Sequence, residues 1–187
     1  QIHSNASTAN LMLSRHTTDT YGAQITLQKS QGTQASPSIV GNNNVVGTIV
    51  FNAFDGINYR SVGTINAEID GITGYNDTPG RLTFYTRIDG SGAPLVERMR
   101  LTNTGNLCLG TTNAGTSAVG VLSLTSIASE PSSTADQVQI YGHDVSSSSV
   151  LAIYQETAPA TDTGNTFSHK VTVRINGVNY EWRLNAI

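Results

Sequence analysis

The chain has 187 residues, enough for one sizeable domain or two small ones with a core of their own. Charged side chains make up only 12% of it, where an ordinary soluble domain carries roughly 25%, and Ser, Thr and Asn together fill about a third. A formal net charge of -3 and a sequence pI near 5.7 supply no basic footprint for nucleic acid or an anionic membrane, so both are excluded as expected partners.

Gly occurs 18 times and interrupts nearly every would-be helix. Short β-branched and aromatic runs recur between turn signals such as Asp55-Gly56, Asp70-Gly71 and Asp89-Gly90. The expected fold class is all-β. In chain order the candidate strands are Tyr21 to Leu27, Gly47 to Phe54, Ser61 to Ile69, Arg81 to Ile88 and Leu95 to Leu101. They continue with Leu107 to Gly110, Val119 to Leu124, Gln137 to Tyr141 and Val150 to Tyr154. Within Leu95 to Leu101, strict alternation puts Glu97, Met99 and Leu101 on one face and Arg98 and Arg100 on the other. A carboxylate beside Met99 and Leu101 is costly alone, so Glu97 is expected to pair with an arginine or accept backbone N–H bonds. The single cysteine, Cys108, rules out an intrachain disulfide and a multi-cysteine zinc site. Between Leu107 and Leu109 it reads as a small core or interface residue.

The last two strands, His169–Ile175 and Val178–Leu184, are joined by Asn176-Gly177, the sequence of a two-residue type I′ turn. That turn sets Ile175 opposite Val178, Val173 opposite Tyr180 and Val171 opposite Trp182, so the large apolar side chains gather on one face. The other face takes Arg174 with Asn179, Thr172 with Glu181 and Lys170 with Arg183. A lone hairpin with such a face is marginal in water. Copies of the segment from other subunits, or alternatively the upstream part of the same chain, must cover it.

A boundary is expected between Thr111 and Asp136, where Thr111 to Thr116 and Glu130 to Thr134 are loop-like. This gives a β-rich module at 1–112, a connecting segment at 113–135 and a C-terminal β module at 136–187. In the last, Ser146 to Ser149 and Ala158 to Asn165 read as exposed loops. No apolar run approaches the ~18 residues of a membrane span and no charged n-region precedes one, so neither anchor nor signal peptide is expected.

The stretch from Glu97 to Thr111, ERMRLTNTGNLCLGT, closely resembles the "ERMRI…GNVGIGT" segment that recurs in phage tail fibres and tailspikes. The preceding order Gly47-Thr48-Ile49, Phe51, Asp55-Gly56, Tyr59, Ile65-Asn66-Ala67, Asn76 to Leu82 and Phe84 resembles the fibre module before that motif. Departures are mild: Leu101 stands for the usual Ile, and Leu107-Cys108-Leu109 for Val-Gly-Ile. Ser168 to Tyr180 is similar to the closing hairpin of some phage fibre proteins, which would place Ile187 at or near a natural C-terminus. Nothing resembles the protease of the cleaved chaperone domain that often follows such a module.

The resemblance implies an intertwined homotrimeric fibre with a shaft-like first module and a small β-sandwich-like or β-prism distal module. It implies a virion protein made in the host cytoplasm, joined upstream to other tail proteins and attaching to a cell-surface receptor. The trimer core is expected to include Met99, Leu101, Val171, Val173, Ile175, Tyr180 and Trp182.

Three readings of the chemistry compete. A tailspike that cleaves polysaccharide needs two carboxylates about 5 to 9.5 Å apart. Yet Asp55, Asp70 and Asp89 each precede Gly and read as turn residues, and Glu68 reads as a paired surface or interface charge. There is no G-x-S-x-G and no G-x-x-x-x-G-K, so no enzyme activity and no cofactor is expected. His3, His16, His143 and His169 belong to no metal motif. Attachment without catalysis is the favoured reading, to a glycan held by aromatic and amide side chains on distal loops. The candidate residues are Tyr141, His143, Asp144, Thr161, Asp162 and Asn165, although Tyr141 and Tyr154 also fit as core. The alternatives are a depolymerase with inter-subunit carboxylates and a purely structural virion fibre or decoration protein.

Overall fold

The computed structural model describes residues 11–127, 138–145, 148–155, 170–175 and 178–183. Among them there is no helix, and the chain is all-β, as its composition and turn spacing require. It divides into two units, Gln1–Leu124 and Thr125–Ile187.

The first unit opens with a small pair, β1 (Gln31–Gly32) and β2 (Pro37–Ser38). Its body is a six-stranded sheet of β3 (Val45–Phe54), β4 (Tyr59–Ile69), β5 (Gly80–Arg87), β6 (Leu95–Leu101), β7 (Leu107–Leu109) and β8 (Leu122–Leu124), in that spatial order. Neighbours are antiparallel except β7 and β8, which run parallel. The strand expected at Tyr21 to Leu27 does not form. Its alternation is that of a strand, but residues 11–30 are exposed and join no sheet among the described residues. Of Val119 to Leu124 only the last three residues pair.

Local chemistry accounts for the turns. Gly56 takes φ 99°, and the Asp55 carboxylate accepts the amides of Ile57 at 2.8 Å and Asn58 at 2.7 Å and the Arg60 Nε at 3.1 Å. The amides of Asn58 and Ile57, followed by Arg60, hold the Asp55 pKa down to about 2. In Thr102 to Asn106, Gly105 (φ 77°) closes the β6–β7 turn, and Asn106 is buried and fully used. Its Nδ2 donates to Thr104 Oγ1 (2.9 Å) and the Ala118 carbonyl (2.8 Å), while Oδ1 accepts the Val121 amide at 2.9 Å. Asn106 thereby clamps the 111–121 connection to the turn and starts β8 beside β7. This is a physical role for the Gly-Asn pair of the motif.

A β-bulge corrects the expected facing of β6. Phe84 pairs with Met99 but Tyr85 pairs with Glu97, so Arg98 is an extra residue and the alternation reverses there. Glu97 consequently shares a face with Arg100, opposite to Met99 and Leu101. The expected arginine partner is present: Arg100 donates Nε to Glu97 Oε1 at 2.5 Å and Nη2 to Oε2 at 2.7 Å.

The second unit contains β9 (Ser126–Ile127), β10 (Val138–Val145) and β11 (Ser148–Gln155), with β10 antiparallel to β11 and parallel to β9. Gly142 is buried where β9 crosses closely, and a Cβ there would lie 2.8 Å from the Thr125 carbonyl oxygen. β10 continues past the expected strand end at Tyr141, so Gly142 to Asp144 lie in a strand and not in the expected loop; Ser148 and Ser149 likewise belong to β11. β12 (Lys170–Ile175) and β13 (Val178–Arg183) form the expected hairpin in the expected register, with Ile175 opposite Val178, Val173 opposite Tyr180 and Val171 opposite Trp182. The Asn176-Gly177 turn and Ala158 to Asn165 lie outside the described residues.

Asn106→Ala removes the partners of the Val121 amide and the Ala118 carbonyl, on an exposed and a half-buried residue, so each lost hydrogen bond is worth about 0.5–1.5 kcal/mol. Chemical denaturation is expected to show a loss of roughly 1–2 kcal/mol, with the amide of Val121 losing its hydrogen-exchange protection.

Candidate functional site

The register of the six-stranded sheet sorts its side chains into two chemically opposite faces. One row of cross-strand neighbours is Ile49, Ile65, Phe84, Met99, Leu109 and Leu124, and the next is Gly47, Ala67, Leu82, Leu101, Leu107 and Leu122. Six strands about 4.8 Å apart and two rows about 7 Å apart make an apolar patch on the order of 400 Å² in projection. Such a face requires a second layer. Among the described residues that layer is incomplete: Ile65, Phe84, Met99, Leu109 and Leu124 are half-buried, Ile49 is 53% exposed, Leu82 42%, Leu101 43% and Leu122 59%, and the buried hydrophobic residues are Val40, Ile69 and Cys108.

One side chain from residues 11–30 does reach this face. Leu27 rests over Gly47, so close that a Cβ on that glycine would lie 2.7 Å from the leucine Cβ. Leu27 and Lys29 border a groove of about 440 Å³ whose floor includes Val40, Ala67, Leu82 and Leu101.

The opposite face is polar and its carboxylates are paired with arginines, while the buried Asn66 Oδ1 has no hydrogen-bond partner. Glu68, buried, accepts from Arg81 Nη2 (2.6 Å) and Nε (2.9 Å), Thr83 Oγ1 (2.9 Å) and Asn66 Nδ2 (3.2 Å). Burial works to raise the Glu68 pKa, but hydrogen bonds from Arg81, Thr83 and Asn66, with the guanidinium charge, outweigh it and hold the carboxyl below its usual range. Arg81 also donates to Asp70 at 3.0 Å, and Asp70 accepts the Asn103 amide at 2.9 Å. Burial again opposes, and the Asn103 amide and Arg81 prevail, keeping Asp70 ionised below the ordinary range. Beside Glu97, the Tyr85 hydroxyl lies 3.3 Å from Oε2, and burial together with the Glu68 and Glu97 charges raises its pKa. Cys108 lies on this face between Arg100 and Ser123 and is fully buried.

The residues expected from the sequence fall in different places. Met99 and Leu101 both lie on the apolar face. Tyr141 and His143 share a face of β10, with ring centroids 6.0 Å apart, while Asp144 points to the other face and is exposed. Thr161, Asp162 and Asn165 lie outside the described residues, as do His3 and His169. The roles of Asp70 and Arg81 were not legible in the sequence: Asp70 has the form of a turn residue, yet it braces an arginine eleven positions away. Among the described residues no three His, Cys, Asp or Glu come together as a metal site, and no helix is long and apolar enough to cross a membrane.

A further cleft of about 570 Å³ is lined by Phe54, Asp55, Ile57, Arg60, Arg87 and the 90–92 turn. Phe54 and Tyr59 stand beside each other there with ring centroids 5.3 Å apart at 51°, both exposed.

The fold and its faces thus define an all-β protein whose main sheet has a broad apolar face that the described residues of its own unit cover only in part. No protein-family model matches the sequence, and no curated protein does. Among solved structures, the carboxy-terminal domain of the bacteriophage T5 L-shaped tail fibre is similar at 16% identity and a TM-score of 0.45, over 90% of this chain and 71% of that one.

Glu68→Gln leaves Arg81 with Asp70 as its one remaining carboxylate. Breaking a buried pair costs about 3–5 kcal/mol, and with Asp70 in place a loss at the low end is expected in a denaturation curve. The pH dependence has a fixed sign. The folded-state pKa values of Glu68 and Asp70 are depressed, so their stabilisation is present above the ordinary carboxylate range and is lost as pH falls through the lowered values. In Glu68→Gln that acid-side loss is expected to be smaller than in the wild type.

Proposed function

We propose that the chain is part of a homotrimeric phage tail fibre that attaches the virion to a host-surface glycan without catalysis. The observation that carries the reading is the uncovered apolar face of the β3–β8 sheet. A protomer that cannot cover its own sheet is an assembly subunit, and sister copies are the cover that is always at hand. The number three and the fibre assignment rest on the ERMR…GN…GT motif and the module before it. A surface rich in hydroxyl and amide groups, and poor in charge, suits a partner bound by stacking and hydrogen bonds. Many weak contacts, multiplied by several fibres per virion, then give firm adsorption.

Within this reading the module at 136–187 is distal and carries the receptor contacts, with Tyr141 and His143 on one strand face and Asp144, Thr161, Asp162 and Asn165 as further contact residues. The hairpin residues Val171, Val173, Ile175, Tyr180 and Trp182 join Met99 and Leu101 in the trimer core. The depolymerase alternative is disfavoured by the pairing of Glu68, Asp70 and Glu97 with arginines, which leaves none of the three as a free general acid or base.

The test is competition. The purified fragment at saturating concentration is expected to block adsorption of the phage that carries it, and to release no sugar from host polysaccharide. Unimpeded adsorption would favour a purely structural virion part. Cleavage abolished by an Asp or Glu substitution would establish the enzyme.

A further inference from the structure

Residues 21–27 read as a strand in sequence and are not one in the protomer. Tyr21, Ala23, Ile25 and Leu27 alternate with Gly22, Gln24 and Thr26, the pattern of a strand with one apolar side. Tyr21 and Ile25 are each 69% exposed, and the segment pairs with no strand among the described residues. The same protomer has the complementary defect. β3 is an edge strand of ten residues, and Val45, Ile49, Val50, Phe51 and Phe54 on it are exposed. A long apolar edge of this kind is a template for another strand unless something covers it.

We propose that residues 21–26 of each copy, leading up to the Leu27 that stays on its own sheet, add as a strand to the outer edge of β3 of a neighbouring copy. This rests on the reading that sister copies cover the apolar sheet face. Geometry favours exchange over pairing within one copy. Leu27 is seated on top of its own sheet, over Gly47, so the chain arrives one layer above that sheet and not beside its edge. Length favours β3 over the other edge: a six-residue segment fits along the ten residues of β3, whereas β8 has three. Chemistry agrees as well, since the apolar side of the added strand extends the rows that begin at Gly47 and Ile49. The main-chain hydrogen bonds of the added strand supply affinity, and the alternate side chains set its register.

The test uses the full chain with a benzophenone photo-crosslinking residue in place of Ile25, irradiated after its native mass has been measured. An oligomeric native mass, a crosslinked band of dimer size on a denaturing gel, and crosslinked peptides from residues 45–54 are the expected results. In the unmodified protein the amides of residues 22–26 are expected to exchange on the order of a hundredfold or more slower than in a free peptide. An oligomer whose crosslinks stay within one copy, or fall outside 45–54, would overturn strand exchange and leave the covered-sheet reading intact. So would an oligomer with no crosslink and freely exchanging amides at 22–26. A monomeric native mass would overturn both.

Discussion

A single-layer sheet can have one wet face and one dry face only if something lies against the dry one, and here the described residues of the same unit supply little of it. The β3–β8 sheet puts its ion pairs on one side and Ile49, Ile65, Phe84, Met99 and the leucines at 82, 101, 107, 109, 122 and 124 on the other. On the polar side every carboxylate of the network has an arginine: Glu68 and Asp70 share Arg81, and Glu97 holds Arg100. That side pairs its charges internally, and among the described residues the buried Asn66 Oδ1 is the side-chain atom left without a partner. The apolar side has Leu27 over Gly47 and is otherwise half-buried to exposed among the described residues, and the remaining features of the protomer follow from this imbalance.

The polar network also explains how the sheet keeps its two faces distinct. The bulge at Arg98 moves Glu97 off the apolar side and onto the side of Arg100. Without it, a carboxylate would sit in the row of Met99 and Leu101 and would need a buried partner there. The Asn106 clamp serves the same end by a different route. It returns the chain after β7 so that Leu122 and Leu124 enter the apolar rows in parallel register with Leu107 and Leu109.

Much of this was legible in the sequence, for identifiable reasons. Strands β3 to β7 and the last hairpin were readable because their alternation has period two and their ends carry Asp-Gly, Gly-Asn or Asn-Gly. The register of β12 and β13 followed from arithmetic alone, since a two-residue turn leaves one choice. The faces of β6 were only partly legible, because a bulge depends on the partner strand and leaves no mark in its own residues. The Arg81 bridge to Asp70 was hidden for a related reason: the two residues flank a long β4–β5 loop whose length fixes no register. The expected strand stops at Tyr141, whereas β10 runs on to Val145 and Gly142 within it admits the close approach of Thr125. Tyr21 to Leu27 have a strand's alternation but no strand's partner within the protomer, and a sheet partner is what alternation alone does not specify.

The central claim is that the apolar face of the β3–β8 sheet is buried in the assembled protein. Carbene footprinting of the native material tests it most directly, because the label reacts with any accessible side chain regardless of polarity. The account predicts that Leu82, Leu101 and Leu122 are protected to the level of the buried Ile69, while Ile57 and Tyr75, exposed at the loops, are labelled freely. Labelling of Leu82, Leu101 and Leu122 as strong as that of Ile57 and Tyr75 would contradict it.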